Sequence, residues 1–263
     1  MSQPELLSRR DGPVLHLQLH RPEVGNALSA ALVQALTEAV DAATHDVSVR
    51  LLVLSGAGRH FCTGFDLSDL DRETDDSLLA RFTRVELLLQ AVHPAPFATL
   101  ALAHGRTMGA GADLFAACGD RWIVGDAGFA FPGAAFGLVL GTVRLTELVG
   151  APHAAAWIEG GQRIDADQAL ACGLATRHIE TEQIDAELGA DRGLCPHHAR
   201  IVVCQPDDER FDAHDIALKR QVEHPASDIG DFFAGASSRD RCRDRIEIAG
   251  KAVFHGGDEQ GEL

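Results

Sequence analysis

Apolar and polar side chains alternate over "VLHLQLH" (Val14 to His20), the period of a strand with one buried face. "RPEVGNALS" follows as a turn. Ser29 then stands at a helix N-cap position, because "SAALVQALTEAVDAAT" repeats its apolar residues at helical spacing. "VRLLVLSG" (Val49 to Gly56) is a continuous apolar run, which predicts a buried strand bounded by the loop "GAGRHFCTGFD". Helical spacing returns over Ser77 to Val92 and stops at "HPAPF", where proline cannot continue a helix. "FATLALA" (Phe97 to Ala103) predicts another buried strand, and "GADLFAAC" the helix after it. "RWIVGDAGFAF" predicts short strands around a Gly-Asp turn. Helical patterns resume in "TVRLTELVG", "APHAAAWIEGG" and "DADQALACG", and "GLATRHIE" predicts a last strand. From about Thr181 the chain is charged and weakly patterned, which predicts surface helices.

Strands alternating with helices predict an α/β layered fold. Ligands in such folds sit where strand ends feed helix N-termini. Two segments have that form here, the loop after Leu54 and the turn after Ala103. The second reads "GRTMGAGADLF", with small residues crowded ahead of a single acid. Small side chains let backbone approach a ligand closely, and a helix starting there aims its free N–H groups at that ligand. The pattern points to an anion or oxyanion site with Asp113 just inside it.

The formal net charge of −16 argues against nucleic acid or an anionic membrane as a partner. No apolar run is long and charge-free enough to span a bilayer, and "MSQPELLSRRDGP" has no hydrophobic signal core. The cysteines Cys62, Cys118, Cys172, Cys195, Cys204 and Cys242 are scattered without a Cys-x-x-Cys pair, which suits reduced thiols in a cytoplasmic protein. "CPHHARIVVC" places Cys195, His197, His198 and Cys204 together, but their spacing matches no standard zinc pattern, so no metal is expected. Gly250-Lys251 is followed by alanine, which excludes a P-loop. "SGAGRHF" lacks the glycine that would complete a dinucleotide-binding turn, and no Gly-x-Ser-x-Gly elbow occurs.

Four segments in order, "LHRPEVGNALS", "VRLLVLSGAGRHFCTGFDL", "HGRTMGAGADLFAAC" and "FAFPGAAFGL", resemble the enoyl-CoA hydratase/isomerase (crotonase) superfamily. "APHAAAWIEGGQRIDADQALACGLATRHI" resembles the family's next segment, so the likeness runs from about Val14 to Ile179. The resemblance implies a crotonase fold of repeated ββα units over residues 1–190, with a C-terminal helical region over 191–263. It also implies a homotrimer or a hexamer built as a dimer of trimers. An acyl-CoA thioester is the implied substrate, with coenzyme A as part of it and no separate cofactor. It places two oxyanion-hole N–H donors at Phe65 and Ala110. CoA contacts are expected from Arg21, Val24, Cys62, Thr63, Gly64, Asp66, Leu67 and Gly109, with Arg59 as a further phosphate contact.

The sequence departs from the family at its acids. Family hydratases hold a water between two glutamates. The first position is Asp113 here, a carboxylate one methylene shorter, as in dienoyl-CoA isomerases. The second follows proline in the family and is Gly133 here. The stretch "GLVLGTVRL" is shorter than its family counterpart, and the second aspartate of dienoyl isomerases lies in the missing piece. Adding water needs one group to take a proton and another to deliver one, whereas Asp113 alone can move a proton between carbons. Isomerase-like chemistry is therefore expected. Thioester hydrolysis or decarboxylation on the same hole, and a non-catalytic acyl-CoA binder, stand as alternatives. Asp113 also suits a plain helix-capping role. Glu86 could reach the acyl pocket, though helix charges are usually solvated. His60 and His104 read as packing histidines, and Cys62 as a core thiol.

Overall fold

The structure, a computed structural model, describes residues 3–191. From residue 192 onward the expected C-terminal helices, with Cys195, His197, His198 and Cys204, lie outside the described residues.

Six strands form one sheet in chain order: β1 (Leu6–Asp11), β2 (Val14–Leu19), β3 (Leu51–Gly56), β4 (Ala98–Met108), β5 (Asp120–Ala130) and β6 (Arg177–Ile179). β1 and β2 pair antiparallel, and every later neighbour is parallel. Parallel neighbours require crossovers, which the helices α1 (Ala30–Thr44), α2 (Asp75–Val92) and α3 (Ala110–Ala117) supply. Beyond β5 come α4 (Thr142–Val149), α5 (Ala151–Glu159), α6 (Ala166–Ala171) and, after β6, α7 (Ile184–Asp191).

Ser29 caps α1 as its position predicts, its hydroxyl accepting from the Leu32 N–H at 3.0 Å. The face Leu32, Val33, Leu36, Val40 and Ala43 is buried, and Val85, Leu88, Leu89 and Val92 of α2 join the same core. α2 starts before Ser77. Thr74 and Ser77 form a capping box, each side chain bonding the other's backbone N–H, which moves the start to Asp75.

Each crossover carries a short extended stretch before its helix. Leu28 bridges Phe65, Cys62 bridges Thr107, and Phe129 bridges Ile164. These bridges are the shortened second strands of the expected ββα units. β4 and β5 contain both halves of a unit, and their pairing shifts register between Ala103 and Gly105. The "RWIVGDAGFAF" segment is thus one strand with a shift near Gly125 rather than separate short strands. Gly105 permits the kink with a φ of +57°, and a Cβ there would lie 2.1 Å from the Arg59 carbonyl oxygen.

At the far end of α3 the buried Arg121 donates to the carbonyls of Cys118, Gly119 and Leu174 at 2.7, 2.7 and 2.8 Å. It ties the helix end to the turn before β6. Arg121→Met leaves those carbonyls unmet and is expected to cost roughly 2–4 kcal/mol in a urea melt. A variant as stable as the parent contradicts that role.

Candidate active site

The loop after β3 turns back at Gly56, where a Cβ would lie 2.5 Å from the Phe61 carbonyl oxygen. It then runs beside the second half of β4. The Phe61 N–H donates to His104 O at 2.9 Å, and the Met108 N–H to Cys62 O at 2.9 Å. Two residues on, the loop crosses to Leu28, which donates to Gly64 O at 2.7 Å and accepts from the Asp66 N–H at 3.2 Å. Phe65 is held between those bonds. Among the described residues its own N–H donates to no backbone carbonyl.

Gly64 brings this peptide to α3. Its φ is +101°, and a Cβ there would lie 2.8 Å from Met108 O and 3.6 Å from the Ala110 nitrogen. Ala110 is the first residue of α3, so its N–H has no intrahelical acceptor. Gly109 before it adopts φ +50°, ψ −128°, a glycine conformation, and its N–H bonds Ala130 O at 2.8 Å.

The small residues of "GRTMGAG" serve different ends. A Cβ on Gly111 would meet Cys62 O at 2.4 Å and Cys62 Sγ at 2.8 Å, so Gly111 lets α3 pack on the loop. Gly105 makes the strand kink. Their smallness answers to protein packing, which corrects the expectation that the whole cluster clears space for a ligand. Gly109 remains open, a Cβ there coming no nearer than 3.9 Å to Pro132.

Two arginines brace the Phe65 loop. Arg21 donates to Asp66 Oδ2 at 2.7 Å and Ala27 O at 2.6 Å, and lies 3.5 Å from Glu5. Arg81 donates to Asp66 O at 2.9 Å, pairs with Glu73 at 2.8 Å, and lies over the Phe65 ring at 4.3 Å, while Phe82 stacks on that ring at 4.2 Å. Burial alone would raise the Asp66 carboxyl; the Ser68 amide and hydroxyl together with Arg21 outweigh it and hold the group below the usual carboxylate range. Arg21 and Asp66 are therefore engaged with each other. In the sequence Arg81 reads as an ordinary helix charge, with no local signal of this bracing role.

The remaining expected CoA contacts divide by exposure. Val24 and Leu67 are exposed. Thr63 locks the two loops together: its N–H donates to Gly25 O at 3.0 Å and its hydroxyl to Val24 O at 3.3 Å. Cys62 is fully buried, its N–H and C=O both bonded to β4, and burial pushes its thiol up to about 12. It is a core residue, inert as a nucleophile. His60 Nδ1 accepts from the Arg106 N–H at 3.1 Å, and His104 Nε2 lies 3.0 Å from Gly58 O, so both histidines pack the loop.

Asp113 sits in the first turn of α3 and is buried. The N-cap residue of α3 is Gly109, so the helix has no side-chain cap bond there, and Asp113 is the one acid in its first turn. Burial raises its carboxyl well above the ordinary range; Arg144 opposes the rise and Glu86 adds to it. Glu86 is not the solvated helix charge expected of it. It is half-buried and accepts twice from Arg144 Nη2, at 3.0 and 2.8 Å. Gly133 occupies a tight turn in which a Cβ would lie 2.4 Å from Leu138 O. Among the described residues no His, Cys, Asp and Glu group could hold a metal. No described helix is long and apolar enough to cross a membrane.

A model of the enoyl-CoA hydratase/isomerase family matches residues 9–190. The chain is 34% identical over 200 residues to the probable enoyl-CoA hydratase echA6 of Mycobacterium leprae (strain TN), covering 72% of this chain and 78% of that one. It is 32% identical over 192 residues to the mitochondrial Delta(3,5)-Delta(2,4)-dienoyl-CoA isomerase of Mus musculus, covering 67% of this chain and 58% of that one. Among solved structures it is similar to a Bordetella parapertussis protein provisionally described as an enoyl-CoA hydratase/isomerase. That match has a TM-score of 0.72 and 38% identity, over 94% of this chain and 98% of that one. It is also similar to an enoyl-CoA hydratase from Mycobacterium smegmatis, with a TM-score of 0.67 and 34% identity, over 72% and 75%. Fold and matches together define a crotonase-fold acyl-CoA-processing enzyme. The chain belongs to the enoyl-CoA hydratase/isomerase family.

Proposed function

We propose that this enzyme shifts a carbon–carbon double bond along the acyl group of an enoyl-CoA thioester. The Phe65 and Ala110 N–H groups act as an oxyanion hole, and Asp113 is the single acid/base. The carrying observation is that Asp113 is buried at the first turn of a helix whose leading N–H, at Ala110, lies against the Phe65 loop. The thioester oxygen accepts from both peptide N–H groups. The Asp113 carboxylate takes a proton from one carbon of the acyl group, and charge collects on that oxygen as an enolate. The protonated Asp113 then returns the proton to a different carbon, so the double bond moves and nothing is gained or lost.

A carboxyl raised by burial is a stronger base than an ordinary aspartate, which suits removal of a weakly acidic C–H. Preorganised N–H donors stabilise the developing charge, each contributing roughly 3 kcal/mol. The similarity to the mouse dienoyl-CoA isomerase is compatible with isomerisation, while the echA6 relative is named a probable hydratase, so the reading rests on the acids present rather than on the relatives' names. Coenzyme A would lie along the exposed loop residues Val24 and Leu67 with Thr63 between them. A homotrimer or dimer of trimers and a cytoplasmic setting belong to the same proposal.

Three assays decide among reactions: crotonyl-CoA hydration, 3-enoyl-CoA isomerisation and release of free CoA. Isomerisation without the other two is the expected result. Hydration as the main activity contradicts it. CoA release points instead to thioester hydrolysis, and binding without turnover to a non-catalytic acyl-CoA binder. The loss of the second glutamate is built into the turn. Gly133→Glu places a side chain against Leu138 O, so it is expected to lower stability by about 1–3 kcal/mol without gaining crotonyl-CoA hydration. A variant that hydrates crotonyl-CoA shows that the position was merely vacant.

A further inference from the structure

Glu86 on α2 and Arg144 on α4 meet beside the first turn of α3 as an ion pair, with side chains only 28% and 12% exposed. Gln90 adds a donor to Glu86 Oε1 at 3.0 Å. The desolvation of such a pair offsets most of its attraction, so stability alone is a poor reason for it. Its position supplies a better one. The point a Cβ on Gly141 would occupy lies 2.8 Å from Asp113 Oδ1 and 3.6 Å from Arg144 Nη2. Carboxyl and guanidinium therefore both lie beside Gly141, where any side chain would press on the Asp113 carboxyl. α3 has no second ionisable side chain, and Glu86 from α2 and Arg144 from α4 are the charges that act on Asp113 among the described residues. β4 and β5, which also pack on α3, bring none to bear on it.

We propose that Glu86 and Arg144 are positioning residues for Asp113, a fixed pair of opposite charges that poises the proton of the reacting carboxyl where family hydratases use a second glutamate. The assignment rests on Asp113 being the acid/base proposed above. Arg144 favours the carboxylate, ready to take a proton. Glu86 favours the acid, ready to return one. Neither has to touch the substrate.

The direct test is a pH titration of the Asp113 carboxyl carbon by NMR, using the full chain labelled at aspartate and assigning the signal by its loss in Asp113→Asn. Glu86→Gln is expected to lower the midpoint and Arg144→Gln to raise it, each by about half a pH unit or more. Arg144→Lys keeps the charge and is expected to stay near the parent. Should Arg144→Gln not fold, the downward shift in Glu86→Gln and the near-parent midpoint in Arg144→Lys still decide the matter. Midpoints that stay in place, or move together, overturn the proposal. In whichever isomerisation the assays detect, the rising limb of the kcat/KM profile should move with the same signs. Opposite shifts in a protein that turns over no enoyl-CoA keep the pair and sink the isomerase reading. Isomerisation with unmoved midpoints sinks the pair alone.

Discussion

Asp113→Asn is expected to lower isomerase turnover roughly 100- to 10,000-fold, the usual contribution of a positioned acid/base. CoA affinity should stay within about threefold, because the contacts proposed for CoA lie on other loops. The same substitution should make the folded chain more stable. Asp113 is held above its ordinary value of 3.8 by burial, despite Arg144. Above pH 3.8 the unfolded chain gives up this proton while the folded chain keeps it, so the parent loses stability as pH rises towards the folded value. Asparagine has no proton to lose. Its advantage should be absent in acid and grow as pH rises through that window. Urea melts of parent and variant at several pH values check this. A variant that turns over normally removes Asp113 from the mechanism, and one that is less stable with a deficit growing with pH contradicts its burial as an acid.

Gly64→Ala is expected to be the other severe change. Its φ of +101° is unfavourable for any side chain, and the new Cβ would press on Met108 O at 2.8 Å. Relief requires the Phe65 peptide to move away from the start of α3. Strain and movement together should cost about 1–3 kcal/mol of stability. Loss of one oxyanion donor should lower turnover by about 100-fold or more. Gly12→Ala is the matched control, since Gly12 also has a positive φ, +56°, but nothing lies within 4 Å of its Cβ. The control should lose some stability and keep its turnover. Equal turnover losses in both variants would mean that position 64 matters only for folding.

Local signals carried most of the fold. Ser29 ahead of a periodic apolar face predicts the start of α1 because a cap and a buried stripe are properties of neighbouring residues. β1 escaped because Leu6 to Asp11 reads as charge after two leucines. It is an edge strand, mostly exposed, and pairs with β2 through a turn whose Gly12 was there to be read. β4 runs beyond Ala103 because pairing with β5 and the loop at Cys62 holds "HGRTM" extended, which no alternation announces.

The site was legible where it depends on sequence neighbours and opaque where it depends on packing. Ala110 and Asp113 share one helical turn, so their relation follows from spacing. The glycine cluster could be seen but not explained, since Gly111 answers to Cys62, 49 positions earlier in the chain. Glu86 and Arg144 come from different helices, 58 positions apart, so no local spacing announces their pairing, and Glu86 alone reads as a solvated charge. The bracing of Phe65 by Arg81 has the same origin.

A crystal structure of the full chain with an unreactive enoyl-CoA thioester analogue tests the central claim most directly. The thioester oxygen is expected about 2.7–3.1 Å from both the Phe65 and Ala110 nitrogens, with the Asp113 carboxyl against the acyl carbons. A thioester bound elsewhere, or an oxygen met by neither peptide N–H, would contradict that claim.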